Sequence, residues 1–218
     1  MVTVFSIAKS RGGGVLKGLL GEEFAGIVTS DRWTAYLWLG VLRRQVCWAH
    51  LKRDFQGLVD RGGAAKAVGE PALALVARLF AAWHAARDEP AAWASLLASM
   101  QPIQDEFRTL LETGQRSPSA NAAGLCRALL VLWPALWTFV TVPGVEPTNN
   151  AAERAIRPAV LWRKQSLGTQ TEAGNRFVAR MLTVATTCKQ QQRGLLDYLT
   201  AACTAAHRGQ PIPSLLPP

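Results

Sequence analysis

Apolar and polar positions follow two different periods along the chain, and the first of them predicts strands. Residues 2–7 form an alternating β-branched run and residues 25–29 a second apolar run, as expected of strands. Amphipathic spacing over residues 15–20 predicts a short helix between them. Residues 44–47 predict a third strand, and a helix is expected to begin near His50. This order of elements in residues 1–60 predicts an α/β region.

The pattern changes to Ala, Leu and Trp at helical spacing over residues 61–143, which predicts an all-helical insertion. We expect several short helices there, with residues 115–121 as the most flexible loop, because prolines interrupt the pattern. These prolines are Pro71, Pro90, Pro102 and Pro134. Four tryptophans of this stretch are expected in its core rather than in a stacking platform, namely Trp83, Trp93, Trp133 and Trp137.

Residues 144–208 are expected to return to the first region through three helices. A linker leads to a helix from about Asn150, and residues 172–192 predict a longer one. Its inward positions are expected to be Phe177, Met181, Leu182 and Val184. A last helix is predicted over residues 195–206, and the proline-rich residues 209–218 are expected to form a loose tail.

The net charge of the chain indicates which class of partner it binds. The 218 residues carry a net charge of +9 with 49% hydrophobic content, which predicts a folded core and a polyanionic partner. Four scattered cysteines and the absence of a secretory pattern predict a cytoplasmic, nucleoid-associated protein. Residues 128–145 are apolar, but Pro134 interrupts them and they are short for a membrane span. A buried helical hairpin is therefore favoured over a membrane-associated protein.

Two segments concentrate residues that could perform chemistry. Asp31 follows the second predicted strand in the sequence Ser-Asp-Arg-Trp-Thr-Ala-Tyr, and a Cys-x-x-His motif follows at residues 47–50. Glu153 lies in Thr-Asn-Asn-Ala-Ala-Glu-Arg, at the start of a predicted helix. Simpler interpretations stay open on the residues alone. Asp31 could be a turn acid, and Glu153 could complete a capping box with Asn150 or pair with Arg157.

Taken together, these motifs resemble those of the bacterial insertion-sequence-66 family of transposases, in the family's order, and the resemblance runs from residue 2 to about residue 198. It implies a ribonuclease-H-like core, truncated here and interrupted by the helical insertion, in a mostly helical α/β protein. By this resemblance Asp31 is the second and Glu153 the third metal-binding acid of a DDE motif, with Mg²⁺ or Mn²⁺ as the cofactor. Cutting and joining DNA displaces a group at phosphorus, which hard divalent cations held by carboxylates promote.

The acids are 153 − 31 = 122 positions apart. We expect the helical insertion to account for this distance and to return Glu153 to the side of Asp31.

Basic and polar residues around the two acids complete the predicted site. Phosphate binding is expected from the basic residues after Glu153, namely Arg154, Arg157, Arg163 and Lys164. The residues expected to support the site are Cys47, His50, Asn149 and Asn150. Cys47 and His50 also form half of a zinc motif, but no second pair completes it in the sequence.

The first acid of the DDE motif has no counterpart, because the first acidic residue of the chain is Glu22. We therefore expect an incomplete chain without strand-transfer activity, either a decayed copy or one piece of a split protein, and leave open whether it is an enzyme. Expected partners are DNA, both transposon ends and target, a separately encoded N-terminal part and a second copy of the chain. A non-catalytic nucleic-acid-binding module is the alternative.

Overall fold

A computed structural model describes residues 2–87 and 93–216, so Pro90 lies outside the described residues. The chain divides into two compact units. Gly21–Asn149 forms the central unit, and Met1–Leu20 with Asn150–Pro218 forms the terminal unit. The strands are β1 Val28–Ser30 and β2 Arg44–Val46. The helices, in chain order, are α1 Gly13–Leu20, α2 Trp48–Arg61, α3 Gly63–Ala86, α4 Trp93–Gly114, α5 Ala120–Val131, α6 Trp133–Leu136, α7 Thr138–Thr141, α8 Asn150–Ser166, α9 Glu172–Gln190 and α10 Leu195–His207.

The fold is predominantly helical, and the described residues contain one sheet of two parallel strands. Strands β1 and β2 confirm the two internal strands that the sequence predicts, with Ser30 paired to Val46. The strand predicted at residues 2–7 is not part of that sheet. A wider ribonuclease-H-like sheet stays a prediction from the family resemblance.

Two helices of the central unit are much longer than expected. Helices α3 and α4 have 24 and 22 residues and continue through Pro71 and Pro102. Both prolines are exposed, as are Ala67 and Ala98, four residues earlier, whose carbonyls lose their intrahelical donor. Water can bond these carbonyls, so the expectation of several short helices was wrong at these two prolines.

The core of the central unit is built from aromatic rings of α2, α4 and the α6–α7 region. The Trp48 ring centroid lies 5.0 Å from that of Trp137 and 5.3 Å from that of Phe107. Trp83 and Trp137 are buried, and Trp93 and Trp133 pack against the same cluster, which confirms the expected core role of these tryptophans.

The apolar residues 128–145 form the end of α5 and the short helices α6 and α7. Leu129, Leu136 and Phe139 of this stretch are fully buried in the central core. No helix among residues 2–87 and 93–216 has the length and hydropathy needed to cross a membrane.

A buried polar network fastens this stretch to β2. Gln45 is fully buried, its amide oxygen accepts from the Phe139 N–H at 2.8 Å, and its amide nitrogen donates to the Leu136 carbonyl at 3.2 Å. Trp48 Nε1 donates to the same carbonyl at 2.8 Å, and the Thr138 hydroxyl donates to the Arg44 carbonyl at 2.6 Å. Short helices leave many backbone groups without intrahelical partners, and these side chains satisfy several of them.

In the terminal unit an extended segment lies against α9. The backbone N–H groups of Thr3 and Phe5 donate to the hydroxyls of Thr187 and Thr183, at 3.2 and 3.0 Å. The prediction that Phe177 faces inward was wrong, since its side chain is 65% exposed. Phe177 lies in the first turns of α9, before the part of the helix that these bonds engage.

The residues after α10 make hydrogen bonds within the terminal unit. Tyr198 donates its hydroxyl to the Pro213 carbonyl at 3.0 Å, and Arg193 donates to the Ser214 carbonyl at 3.0 Å. The Gln191 side chain donates to the Leu215 carbonyl at 2.8 Å.

Candidate metal and nucleic-acid site

Asp31 stands immediately after β1, at the end of the parallel pair. Its Oδ1 accepts a hydrogen bond from the Trp33 N–H at 3.0 Å, which turns the chain away from the strand. No described residue donates to its Oδ2, and the side chain is half-buried. A carboxylate held on one oxygen with the other available is a suitable hard ligand for a divalent cation.

Cys47 connects the strand end to the segment that precedes α8. Its N–H donates to the Ser30 carbonyl at 2.7 Å, directly before Asp31, and its buried Sγ accepts from the Asn149 N–H at 3.5 Å. The next amide, that of Trp48, donates to the Pro147 carbonyl at 2.9 Å. Parts of three sequence motifs, at Ser30, Cys47 and Asn149, are therefore joined by hydrogen bonds within the central unit.

His50 lies in the first turn of α2, and its N–H donates to the Cys47 carbonyl at 3.1 Å. Asp54, one turn later, pairs with Arg32 through Oδ2, with an Nη2–Oδ2 distance of 2.8 Å. The charge of Arg32, the neighbour of Asp31, is therefore balanced by Asp54.

Arg44 places a buried positive charge on β2, where its backbone pairs with Val28 of β1. The residue is 2% exposed, and within the described part of the chain its buried Nε and Nη2 atoms have no hydrogen-bond partner. Burial lowers the pKa of Arg44, and the negative charges of ionised Tyr36 and Asp31 oppose this effect. Burial also raises the pKa of Tyr36, as does the Asp31 charge, whereas Arg44 lowers it. Asp31, Tyr36 and Arg44 are thus electrostatically coupled.

Glu153 lies in the first turn of α8, in the terminal unit, and is half-buried. Asn150 is the first residue of this helix and is exposed. A negative charge at this end of a helix is favoured by the helix dipole. Arg157 makes no ion pair with any residue that the structure describes, so the Glu153–Arg157 pair considered from sequence is not observed.

Helix α8 exposes a row of cations. All four residues expected to bind phosphate are exposed, and none forms an ion pair within residues 2–87 and 93–216; they are Arg154, Arg157, Arg163 and Lys164. Arg176 on α9 differs, because it pairs with Glu172 at 2.7 Å. Helix α8 is therefore a basic segment of the terminal unit, and α9 also exposes Arg180.

The described residues do not contain a group of three or more His, Cys, Asp or Glu side chains placed to hold a metal ion. Asp31 belongs to the central unit and Glu153 to the terminal unit. Each acid fits the chemistry of a divalent-cation ligand by itself.

Arg44 and Gln45 were not predicted from the sequence as functional residues. No sequence signal marked them, because the burial of all three residues of this strand is seen only in the structure. A charged or amide side chain in such a strand indicates a specific partner or function.

The sequence matches a family model described as "Transposase IS66 family" over residues 1–176. It is also similar to uncharacterized protein y4qI of Sinorhizobium fredii (strain NBRC 101917 / NGR234), with 30% identity over 216 residues. The alignment covers 89% of this chain and 39% of that relative, so the chain spans about two fifths of the relative's length. No solved structure matches.

Proposed function

Because the chain belongs to the IS66 family of transposases, we propose that it acts in DNA transposition and supplies Asp31 and Glu153 to a metal-dependent phosphoryl-transfer site. Both acids lie within the matched residues 1–176. Family membership supports transposition as the process and DNA as the partner. The two residue roles rest on the motifs around them.

The contact between Asn149 and Cys47 is the observation that best supports a shared site. It fastens the segment before α8 next to Ser30, whose neighbour is Asp31. Glu153 follows Asn149 by four residues, and four residues of extended chain span at most about 14 Å.

Each of these residues has a defined chemical task in the proposal. Asp31 and Glu153 would hold Mg²⁺ or Mn²⁺ through their carboxylate oxygens, and the cation would supply activation of the attacking oxygen and stabilisation of the leaving oxygen at phosphorus. The Trp33 N–H orients the Asp31 carboxylate through Oδ1 and leaves Oδ2 for the cation. The exposed cations of α8 bind and position the DNA phosphates.

Two ligands hold a cation less firmly than three. Because the 218 residues match two of the three acids of the DDE motif, we expect weak metal binding and no strand joining by this chain alone. Complementation by a polypeptide that supplies the first acid is expected to restore strand joining, as in the family's complete site.

Metal binding tests this function directly. Mn²⁺ binding to the 218-residue chain should weaken markedly in Asp31→Asn and in Glu153→Gln. Asp105→Asn is the matched control, since Asp105 is an exposed acid on α4 whose carboxylate accepts a hydrogen bond from the Gln101 side-chain amide. Equal Mn²⁺ affinity in all four proteins would refute the metal-site proposal.

A non-catalytic nucleic-acid-binding module is the second candidate, and the exposed cations of α8 favour it. Such a module would bind DNA equally well with and without Mn²⁺, and Asp31→Asn would leave that binding unchanged. The same proteins, tested by DNA binding with added Mn²⁺ or with a chelator, separate the two candidates.

A further inference from the structure

Leu167, directly after α8, has an unfavourable backbone conformation and an exposed side chain. Its φ is 60°, in the left-handed region, where a side chain crowds the backbone and where helix ends usually place glycine. The side chain is 92% exposed, the highest value among the large apolar residues that the structure describes. Single exposed apolar residues are common, but this one makes few contacts that could offset its strain. The combination indicates contact with another molecule.

Gln192 shows the same conformation with a side chain suited to water. It follows the end of α9 and has a φ of 56°. Among the described residues, Leu167 and Gln192 are the two non-glycine residues with positive φ. Gln192 is polar and exposed, as is usual at a surface. The chain therefore accommodates glutamine in this conformation, and the apolar side chain is what distinguishes Leu167.

The loop that carries Leu167 is fastened to both neighbouring helices. Toward α8, Gly168 lies against Arg163, whose Cγ is 3.5 Å from the position that a Cβ on Gly168 would take. Toward α9, the Thr169 hydroxyl donates to the Asn175 side chain. Leu167 is thus presented next to the Arg163 side chain on a loop with fixed ends.

The charge around Leu167 indicates the class of the contacted molecule. The terminal unit has 12 basic and 3 acidic residues, 12 − 3 = +9, whereas the central unit has 12 of each, 12 − 12 = 0. The whole net charge of the chain therefore belongs to the unit that carries Leu167. Residues 154–171 contain four basic residues and no acid, and Arg163 and Lys164 are exposed in the last turn of α8. This segment is complementary to a polyanion rather than to an apolar protein surface.

We propose that Leu167 is a wedge that enters the base stack of DNA, while Arg163 and Lys164 bind the phosphates beside it. Proteins that bend or open DNA insert Leu, Ile, Met or Phe between base pairs and partly unstack them. The leucine leaves water when it enters the stack, which contributes to binding. Mismatched positions open at a smaller cost than paired ones, so the wedge favours them. The inference rests on the proposed function for DNA as the partner and adds the residue that distorts it.

The test uses two duplexes that contain 2-aminopurine, whose fluorescence rises when the base is unstacked. One duplex is fully paired, and the other has a single mismatch beside the 2-aminopurine. The full chain should raise the fluorescence of the mismatched duplex and bind it about tenfold more tightly than the paired one. Leu167→Gln should lose both effects, but its affinity for the paired duplex should still fall with salt, because Arg163 and Lys164 remain.

Two further variants serve as controls. Leu167→Met keeps a flexible apolar side chain and should keep the preference for the mismatch. Leu196→Gln should also keep it, since Leu196 is a 76% exposed leucine on α10 of the same unit. Thermal unfolding monitored by circular dichroism verifies that each variant is folded. If Leu167→Gln does not fold, Leu167→Gly replaces it, because glycine adopts this conformation without strain, and the same losses are expected.

Several results would overturn the inference while leaving DNA as the partner. They are equal binding of both duplexes by the unmodified chain without a rise in fluorescence, a mismatch preference that persists in Leu167→Gln, and a preference that Leu196→Gln loses equally. If Leu167→Gln instead abolishes self-association in sedimentation and keeps the mismatch preference, Leu167 contacts a second copy of the chain and the wedge is wrong. If the unmodified chain binds neither duplex, the proposed function and the wedge both fall.

Discussion

The backbone N–H of Asn149 donates a hydrogen bond to the Sγ of Cys47 at 3.5 Å, although 102 positions separate the two residues. Cys47 is fully buried and its own N–H bonds the Ser30 carbonyl, one residue before Asp31. The helical stretch between them thus begins and ends at the same place in the central unit. Cys47 therefore binds Asn149, the first residue of the Asn-Asn segment, and holds it in the central unit.

Replacing Cys47 by alanine should affect both stability and metal binding. The change removes a buried sulfur and its hydrogen bond, so we expect a loss of about 1–2 kcal/mol in the free energy of unfolding. Cys126→Ala is the matched control, because Cys126 is equally buried but lies on α5. Denaturant unfolding should show similar losses for both, whereas Mn²⁺ binding should weaken in Cys47→Ala only. Equal Mn²⁺ affinity in the two variants would contradict the role assigned to Cys47.

Gln45→Leu should destabilise the central unit by about 1–3 kcal/mol, because the buried Phe139 N–H loses its acceptor. The Leu136 carbonyl keeps the bond from Trp48 Nε1, which limits the loss. Gln56→Leu, on the exposed face of α2, should change stability by less than about 0.5 kcal/mol. Urea unfolding of the two variants makes the comparison, and equal stability of Gln45→Leu and Gln56→Leu would be inconsistent with the network.

The coupling around Asp31 predicts the direction of two shifts in the pKa of Tyr36. Asp31→Asn should lower this pKa, because a negative charge that disfavours the tyrosinate is removed, and Arg44→Met should raise it. Absorbance of tyrosinate in the near ultraviolet follows the titration. The chain has two tyrosines, and Tyr36→Phe identifies which signal belongs to Tyr36. Shifts in the opposite directions, or none, would exclude the coupling.

The raised pKa of Tyr36 makes the free energy of unfolding depend on pH in the alkaline range. A pKa raised in the folded state means that the folded protein holds the Tyr36 proton more tightly than the unfolded chain does. This contribution is complete below the ordinary tyrosine pKa of about 10 and is lost as pH rises through the raised value. Tyr36→Phe should therefore lose less stability than the unmodified chain between neutral and strongly alkaline pH. A parallel decline of the two proteins would contradict this.

The exposed cations of α8 predict a salt-dependent affinity for DNA. Arg154→Gln/Arg157→Gln should weaken binding and reduce the slope of log K against log salt by about 1 for each phosphate that is no longer bound. Arg116→Gln serves as the control, because Arg116 is an exposed arginine two residues after the end of α4, in the central unit. Fluorescence anisotropy with a labelled duplex at several salt concentrations measures both quantities. If Arg116→Gln weakened DNA binding more than Arg154→Gln/Arg157→Gln does, the DNA-binding surface would not lie on α8.

Local patterns in the sequence were sufficient to predict several features of the fold. The apolar run before Asp31 correctly predicted β1, and the prediction that Asp31 follows the strand end is confirmed. The helix beginning near Asn150 was also predicted, because Asn-Asn and an early acid are typical of helix starts. These features depend on residues that are close together in the chain.

Features that depend on tertiary surroundings were not predictable. Pro71 and Pro102 do not break their helices, because the carbonyls they affect lie on exposed faces. Arg44 appears in the sequence as an ordinary basic residue after Arg43, and only packing shows that it is buried. The contact of Cys47 with Asn149 connects residues 102 positions apart and has no local signal.

Asp31 and Glu153 are proposed to bind the same cation, and metal-directed backbone cleavage tests this most directly. Fe²⁺ bound in place of Mg²⁺, with ascorbate and peroxide, generates radicals that cut the polypeptide near the metal. Mass spectrometry of the fragments should show cuts near both residue 31 and residue 153, and Asp31→Asn should abolish both. Cuts near only one acid, or cuts near residue 153 that persist in Asp31→Asn, would contradict the shared site.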